Sequence, residues 1–314
     1  MNVIPPGMRV AFHANTLVAD IHDPRFAAML PRLVQLGYTA LALPPLEPDT
    51  PTQPVVDMLR DSELHPIPMA SLTPQANVAS PDRAVRAAGL HRLRAFVDFA
   101  VALGSDQLNG VPYGLFGTPS EPVSESALRE AARAVGEVAE EAHDRGVTMT
   151  FEVLNRYETS AINTAEQALQ FVDDSASPHL RIHLDTFHMG IEEADMAAAI
   201  DLAMPKLGYL ELGQSGRGRL SRGALDLAGV AAHAHRAGYR GRWGVEAFTR
   251  HVLGPDIANT LAIWRRTYDD GIDVAEDAVA VFQAAHSGAP LAGAHAARRD
   301  ADVEPNHRFT SDRF

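Results

Sequence analysis

Short runs of apolar and β-branched residues alternate along the chain with longer stretches in which apolar positions recur at helical spacing. The longer stretches include residues 81–103 and 125–145, where Ala and Leu mix with Glu and Arg as on an amphipathic helix. The short runs predict eight β-strands, at residues 10–14, 40–43, 67–72, 107–111, 148–154, 181–185, 209–212 and 243–248. Eight strands that alternate with helices are typical of a (β/α)8 barrel, that is, a TIM barrel, with an open α/β sheet as the alternative.

Local signals mark where several of these helices begin and end. Ser80-Pro81 places a capping side chain before a proline at the first helical position, and Thr164-Ala-Glu-Gln167 has the pattern of a capping box. Four glycines follow predicted helices where a left-handed cap belongs: Gly37, Gly104, Gly146 and Gly238. Apolar periodicity is lost after residue 288, so we predict one barrel domain over residues 1–288 and a flexible tail over residues 289–314.

Composition narrows the class of protein. With 27 Lys and Arg against 40 Asp and Glu, the formal charge is −13, and no basic run offers a site for the phosphates of a nucleic acid. The chain has no cysteine, which excludes disulfides and thiolate metal ligands. The first residues lack an apolar run of signal-peptide length, and no later run reaches the length of a membrane span. We therefore expect a cytoplasmic protein that binds neither nucleic acid nor membrane.

Four carboxylates fall at the ends of predicted strands: Glu152, Asp185, Glu211 and Glu246. In a barrel, the C-terminal ends of successive parallel strands meet at one mouth, where such enzymes keep their chemistry. Carboxylates gathered there would repel one another unless a positive charge compensates them, and hard oxygen ligands suit Mg²⁺ or Mn²⁺. The alternative is that some of these acids face water or pair with arginines.

The segments EVLNRYETSAINTAEQALQFVD and LDTFHMGIEEAD resemble the D-tagatose/D-allulose (psicose) 3-epimerase family of the xylose-isomerase-like barrel superfamily. The similarity is densest over residues 148–250, and ASPDRAVRAAG extends it towards the N-terminus. The resemblance implies a TIM barrel that holds Mn²⁺ or a similar ion on Glu152, Asp185, Glu211 and Glu246. It also implies that Glu152 and Glu246 transfer protons on the two faces of the substrate, and that the protein is a homodimer or homotetramer.

The same resemblance implies that Glu158, His188 and Arg217 hold the first oxygens of a sugar. Each has an alternative role: His188 as a core histidine bonded to a backbone carbonyl, Arg217 as a solvated loop residue, and Glu158 as the partner of Arg156 or a loop cap. His13, at the end of the first predicted strand, is a further candidate to line the mouth.

The chain departs from the family pattern at two places. The family strand that reads His-x-His is here Tyr209-Leu210-Glu211, so a carboxylate stands in place of a metal-binding imidazole. An all-oxygen ligand set would favour Mg²⁺, Mn²⁺ or Ca²⁺ over Zn²⁺ or Co²⁺; a weakened site or one without metal is the alternative. A family acid on the second strand is replaced by Ala42.

The sequence therefore predicts a metal-dependent epimerase or isomerase that removes and returns the proton beside the carbonyl of a free ketose or related polyol ketone. One alternative is a lyase that begins with the same proton abstraction, such as a keto-cyclitol dehydratase or an enzyme that cleaves a C-glycoside by elimination from a keto-sugar. The other is a sugar-binding or partner subunit without catalytic activity, since the metal-binding histidine is lost.

Overall fold

A computed structural model describes residues 3–288 of the chain. Strands alternate with helices from end to end, as the periodicity predicts. The strands are β1 (Arg9–His13), β2 (Ala40–Ala42), β3 (His65–Ile67), β4 (Met69–Ala70), β5 (Gln107–Gly110), β6 (Thr148–Val153), β7 (Arg181–Asp185), β8 (Leu207–Gly213) and β9 (Arg242–Glu246). The helices are α1 (Pro24–Leu36), α2 (Gln53–Leu59), α3 (Arg83–Ala102), α4 (Glu125–Asp144), α5 (Ala165–Ser175), α6 (Thr186–Glu192), α7 (Met196–Ala203), α8 (Leu227–Arg236), α9 (Pro255–Thr260) and α10 (Gly271–Ser287).

All strand pairs within the sheet are parallel, and the order is β3-β2-β1-β9-β8-β7-β6-β5-β4. The two outer strands, β3 and β4, follow each other in the chain and are separated only by Pro68, so the sheet closes on itself as an eight-stranded TIM barrel. The prediction of one unbroken strand at 67–72 is wrong in detail. Proline has no N–H to donate, which interrupts the ladder, while the Pro68 carbonyl still accepts from the Asn109 N–H.

The helix-end signals are mostly confirmed. Thr164 caps α5 in a full capping box with Gln167, and the four predicted glycines all have positive φ. The cap at Ser80-Pro81 is wrong: α3 begins two residues later, with Asp82 as its N-cap. The Ser80 hydroxyl instead accepts a hydrogen bond from the Asp82 N–H, which holds the turn before the helix.

Alternation along the strands separates two buried regions. Outward-facing residues such as Leu210 and Leu212 of β8 join the large core between barrel and helices. Their neighbour Tyr209 lies inside the barrel against Ala11, Ala40 and Ile67, which form a small apolar layer. Since side chains alternate, Glu211 faces the interior as Tyr209 does.

None of the helices within residues 3–288 combines the length and the apolar character needed to cross a bilayer. The predicted tail, residues 289–314, lies outside the described residues, so the domain boundary at residue 288 stays a prediction. Ala42 is buried on β2, between the β1 and β3 strands, as an apolar residue of the barrel.

Candidate active site

The four carboxylates predicted at strand ends lie together at the C-terminal mouth of the barrel, on the adjacent strands β6, β7, β8 and β9. Asp185 pairs in register with Glu211, and Gly213 with Glu246. All four side chains are buried, and Glu211 is only 1% exposed. The alternative that some of these acids face water is therefore wrong, although Glu246 does pair with an arginine, Arg217.

Burial and mutual repulsion raise the pKa of three of these acids above their ordinary values: Glu152, Asp185 and Glu211. For Asp185 and Glu211 the neighbouring charge of Glu246 is the largest electrostatic cause after burial. Burial also acts to raise the pKa of Glu246, but the charge and hydrogen bond of Arg217 together with His13 and His188 outweigh it and hold that pKa below its usual range. Three negative charges thus lack a compensating cation of their own, while the fourth has one.

Arg217 reaches into the site from the loop after β8. Its backbone is left-handed at φ 51°, and its N–H donates to the Gln214 carbonyl at 2.7 Å, so the loop turns the side chain inward. The guanidinium donates to Glu246 Oε2 at 2.5 Å and to Glu158 Oε1 at 3.3 Å. Burial acts to lower its pKa, yet the carboxylates Glu246 and Glu158 raise it, so Arg217 stays charged.

The guanidinium of Arg217 is also held between two aromatic rings. Its Cζ lies 4.2 Å from the ring centre of Phe187 and 4.7 Å from that of Phe248. A solvated loop arginine is therefore excluded. Glu158 does not pair with Arg156 either, because the carboxylate of Glu192 takes that arginine.

His188, on α6, is buried with a fixed orientation. Its Nδ1 accepts a hydrogen bond from the Asn155 backbone N–H at 3.1 Å, rather than donating to a carbonyl. Its Nε2 points towards Glu152 Oε1 at 3.4 Å and Asp185 Oδ2 at 3.6 Å. Burial lowers the pKa of His188 to about 4, so the ring is neutral at neutral pH. A neutral ring that accepts at Nδ1 carries its proton on Nε2 and presents an N–H to the site.

The structure adds His183, which the sequence reasoning missed. It lies on β7, opposite Glu152 of β6 and two residues before Asp185, so both β7 side chains face the interior. His183 Nε2 is 3.2 Å from Glu211 Oε2, and the ring meets the Tyr209 ring edge-on at 4.5 Å between centres. The sequence signal for His183 is its i, i+2 spacing from Asp185, because residues two apart in a strand face the same side.

The residues present fit a bound cation. Two groups have their ligand atoms within 4.8 Å of one another: Glu152, Asp185 and His188, and Glu152, His183 and Glu211. Asp185 Oδ2 and Glu211 Oε1 are buried without a hydrogen-bond partner among residues 3–288. Such orphaned carboxylate oxygens are costly unless a positive charge or a donor meets them. Glu246 belongs to neither group, because its oxygens are turned to Arg217 and His13.

Glycines make the space for these carboxylates. A Cβ on Gly244 would lie 2.5 Å from Glu211 Oε1 and 2.6 Å from the Tyr209 hydroxyl. A Cβ on Gly213 would lie 2.7 Å from Asp185 Oδ1. The carboxylates of Glu211 and Asp185 therefore fit at these positions because Gly244 and Gly213 have no Cβ.

A cavity of about 390 Å³ opens on this cluster, large enough for a small ligand. Its charged end is lined by the predicted residues Glu152, Glu158, His188, Arg217 and Glu246, together with His13. The rest of the lining is mainly apolar, with Leu72, Val111, Phe116 and Ile257 among its residues, and it also includes Asp256. Asp185 and Glu211, which are almost fully buried, do not line it.

Comparison with known proteins agrees with this geometry. The profile of the family described as "Xylose isomerase-like TIM barrel" matches residues 30–278. An L-ribulose 3-epimerase of Methylomonas sp. (strain DH-1) is 36% identical over 223 residues, which cover 71% of this chain and 78% of the relative. A ketose 3-epimerase of Arthrobacter globiformis is 34% identical over 250 residues, 79% of this chain and 86% of the relative.

A solved structure gives the same answer at the level of the fold. The D-allulose 3-epimerase from Methylomonas sp. in complex with D-allulose superimposes with a TM-score of 0.82 at 32% identity, covering 90% of this chain and 98% of that chain. Together, the profile match over most of the chain and the relatives above 30% identity show that this chain belongs to the xylose isomerase-like TIM barrel family, in the group that includes the ketose 3-epimerases.

Proposed function

We propose that this protein is a metal-dependent ketose 3-epimerase that acts on a free ketose or a related polyol ketone. The observation that carries the proposal is the placement of Glu152 and Glu246 on one cavity, at strands separated by two others around the barrel mouth. Inverting a carbon beside a carbonyl needs a base that removes the proton on one face and an acid that returns one on the other. Two carboxylates that reach one cavity from different strands can supply these two groups.

Glu152 and Glu246 take these two roles, and they exchange them when the reaction runs in the other direction. Arg217 neutralises Glu246 in the free protein, so the same guanidinium is placed to bind a substrate oxygen close to the base. His188 presents its Nε2–H to the cavity as a neutral hydrogen-bond donor, and Glu158 accepts from a substrate hydroxyl. These three residues orient the reacting end of the sugar.

The carboxylates Glu152, Asp185 and Glu211 hold a divalent cation, with Mn²⁺ or Mg²⁺ as the ions their oxygens suit. When bound, such an ion stabilises negative charge that develops on the substrate oxygens as a Lewis acid. Glu246 as a fourth ligand stays a prediction, since its oxygens face Arg217 and His13 in this structure. A cytoplasmic location and a homodimer or homotetramer are also part of the proposal.

The cavity supports an unphosphorylated substrate. Among the cavity-lining residues in the described part of the chain, Arg217 is the one arginine or lysine, and it is already paired with Glu246 and Glu158. A phosphate group on the substrate would add about two negative charges to a site that is already rich in carboxylates. The mainly apolar remainder of the lining gives the far end of a sugar few directional contacts, so we expect several ketoses to be accepted.

Incubation of the manganese-loaded protein with a panel of ketoses in D₂O tests the proposal. The panel contains D-allulose, L-ribulose, D-tagatose and D-fructose, and products are followed by NMR and chromatography. We expect the C3 epimer to form, with deuterium at C3, and Glu246→Gln to lower kcat/KM by about 10²- to 10⁴-fold. The surface variant Glu130→Gln serves as the control and keeps the wild-type rate.

The same experiment separates the alternatives. An unsaturated product from a keto-cyclitol or keto-sugar, with no epimer, supports elimination by a lyase. Sugar binding with no deuterium uptake from any ketose supports a subunit without catalytic activity, and either result overturns the proposal.

A further inference from the structure

The loss of the family histidine at position 211 leaves open which residue, if any, gives the cation a nitrogen ligand. Two buried imidazoles belong to the groups of possible ligands, His183 from β7 and His188 from α6, whereas the buried His13 contacts Glu246, which is in neither group. Only a ring nitrogen with a free lone pair can coordinate a metal ion, so the position of the ring proton decides between them.

His188 has no free lone pair at the site. Its Nδ1 accepts from a backbone N–H, which is a donor in every protonation state, and from the Asn155 side chain at 2.8 Å. The proton of the neutral ring therefore lies on Nε2, the nitrogen that faces Glu152 and Asp185. His188 is a hydrogen-bond donor here and not a ligand.

His183 is in the opposite situation. It is fully buried, and neither ring nitrogen has a hydrogen-bond partner among residues 3–288. Its Nε2 lies 3.2 Å from Glu211 Oε2, but the contact lacks hydrogen-bond geometry. The lone pair of Nε2 can therefore point between the carboxylates, with the ring proton on Nδ1.

The three adjacent strands β6, β7 and β8 bring the ligand atoms of Glu152, His183 and Glu211 together. Glu152 pairs in register with His183, and Glu211 lies two residues beyond Tyr209, the register partner of His183. Ligand atoms of Glu152, His183 and Glu211 all lie within 4.8 Å of one another, and Glu211 Oε1 has no partner in the described chain. Of these three residues, only Glu152 lines the cavity.

We infer that the His183 imidazole of β7 is the nitrogen ligand of this chain's cation site, beside the carboxylates of Glu152 and Glu211. The inference rests on the proposed metal-dependent function and replaces the all-oxygen ligand set predicted from the sequence. The nitrogen ligand thus comes from β7 rather than β8, and β8 supplies an oxygen ligand through Glu211. A mixed nitrogen and oxygen set favours Mn²⁺ or Co²⁺ and disfavours Ca²⁺.

Pulsed electron paramagnetic resonance of the Mn²⁺-loaded full-length protein tests this without turnover. We expect electron spin-echo modulation from one directly bound imidazole nitrogen in the wild type. His183→Gln should remove that modulation and weaken Mn²⁺ binding at least about 10-fold, because a direct ligand matters no less than its supporting partners. The matched control His188→Gln should keep both the nitrogen modulation and the Mn²⁺ affinity.

Each other result overturns the inference. A wild-type spectrum without nitrogen modulation, which needs no variant, means an oxygen-only site. Modulation that survives in His183→Gln but disappears in His188→Gln assigns the ligand to α6. The outcomes also separate this site from the proposed function: C3 epimerisation with a nitrogen-free Mn²⁺ spectrum contradicts only the site. A His183-dependent spectrum with no proton exchange from any ketose contradicts only the function.

Discussion

At the scale of single residues, the direction of one glutamate decides what the site can bind. Glu211 sits between two leucines, a pattern that would turn it to water if the leucines faced the barrel interior. In the structure the leucines face the helices, and Glu211 occupies the space left by Gly244. The glycine is thus as important for the carboxylate cluster as the acids themselves.

Gly244→Ala tests this packing. The new Cβ would meet Glu211 Oε1 at 2.5 Å and the Tyr209 ring at 2.6 Å, so the carboxylate must move. We expect Mn²⁺ affinity, measured by isothermal titration calorimetry, to fall at least about 10-fold. Gly114→Ala is the matched control, because its Cβ meets nothing within 4 Å, and it should bind Mn²⁺ normally. Unchanged affinity in Gly244→Ala would contradict this account of the site.

Arg217→Gln tests the pairing of the proposed base. Without the guanidinium, Glu246 loses the charge that holds its pKa down, so the pKa rises and the acid limb of the kcat/KM profile moves to higher pH. We also expect kcat/KM at its optimum to fall about 100-fold, since an oriented cationic donor is lost.

The control for that variant is Arg219→Gln, which removes an arginine that pairs with Asp273 at the surface of the same loop. Its rate and pH profile should match the wild type. An acid limb that does not move in Arg217→Gln would show that Glu246 is not the group whose ionisation limits activity.

At the scale of elements, strands on opposite sides of the barrel are joined through its interior. Arg242 of β9 is buried and donates to both oxygens of Asp106, just before β5, at 3.0 Å each, and to Gln107 Oε1 at 2.7 Å. This cross-barrel ion pair lies at the end away from the acids. Burial acts to raise the pKa of Asp106, but the hydrogen bonds and charge of Arg242, with a smaller contribution from His65, together outweigh it and lower the pKa overall.

Because the folded-state pKa of Asp106 is depressed, the pair stabilises the protein above the unfolded value of about 4, and this is lost as pH falls through the folded value. Asp106→Asn should lower the free energy of unfolding by about 1–2 kcal/mol at pH 7, less than a fully buried pair because the Asp106 side chain is half exposed. Urea unfolding at pH 7, 5 and 3.5 should show the difference shrinking only below about pH 4.

Asp98→Asn provides the comparison, since it breaks an exposed pair with Arg145 and should cost less than about 0.5 kcal/mol. A pH-independent loss in Asp106→Asn would show that packing, rather than the ion pair, is what the substitution disturbs.

At the scale of the whole molecule, the carboxylate cluster couples cation binding to folding. Four buried acids at one mouth repel one another in the cation-free protein, and the unfolded chain holds no such site. Mn²⁺ at about 100 times its dissociation constant should therefore add about 2.7 kcal/mol and raise Tm by about 5 °C. Differential scanning calorimetry with EDTA and after Mn²⁺ reloading measures the shift. Asp185→Asn should shrink it, and an unchanged Tm would contradict a bound cation.

Much of the fold was predictable because it depends on local periodicity. The alternation of apolar and polar positions identified the strands, and the capping residues identified the ends of α5 and four other helices. The division of the third predicted strand at Pro68 was missed because the apolar run continues through this residue. Proline has no N–H, so the interruption could have been predicted from the sequence. The four acids could be placed at one mouth because parallel strands in a barrel share a C-terminal end.

The partners within the site were decided only by the tertiary structure. The sequence left a solvated Arg217 as an alternative. In the structure Arg217 lies between Phe187 and Phe248 and pairs with Glu246, and no local sequence pattern predicts these contacts. The proton position on His188 depends on a backbone N–H 33 residues earlier in the chain. Contacts of this kind follow from strand register and loop conformation rather than from residue type.

The sequence by itself thus determined the barrel, the strand ends that carry the acids and the chemical class of the site, since each is fixed by local periodicity and residue type. Only the folded chain decided that Glu211 faces inward, that Arg217 compensates Glu246, and that His183 joins the acids while His188 donates. The physical reason is that these outcomes depend on distances between segments far apart in sequence, which only the closed barrel brings together.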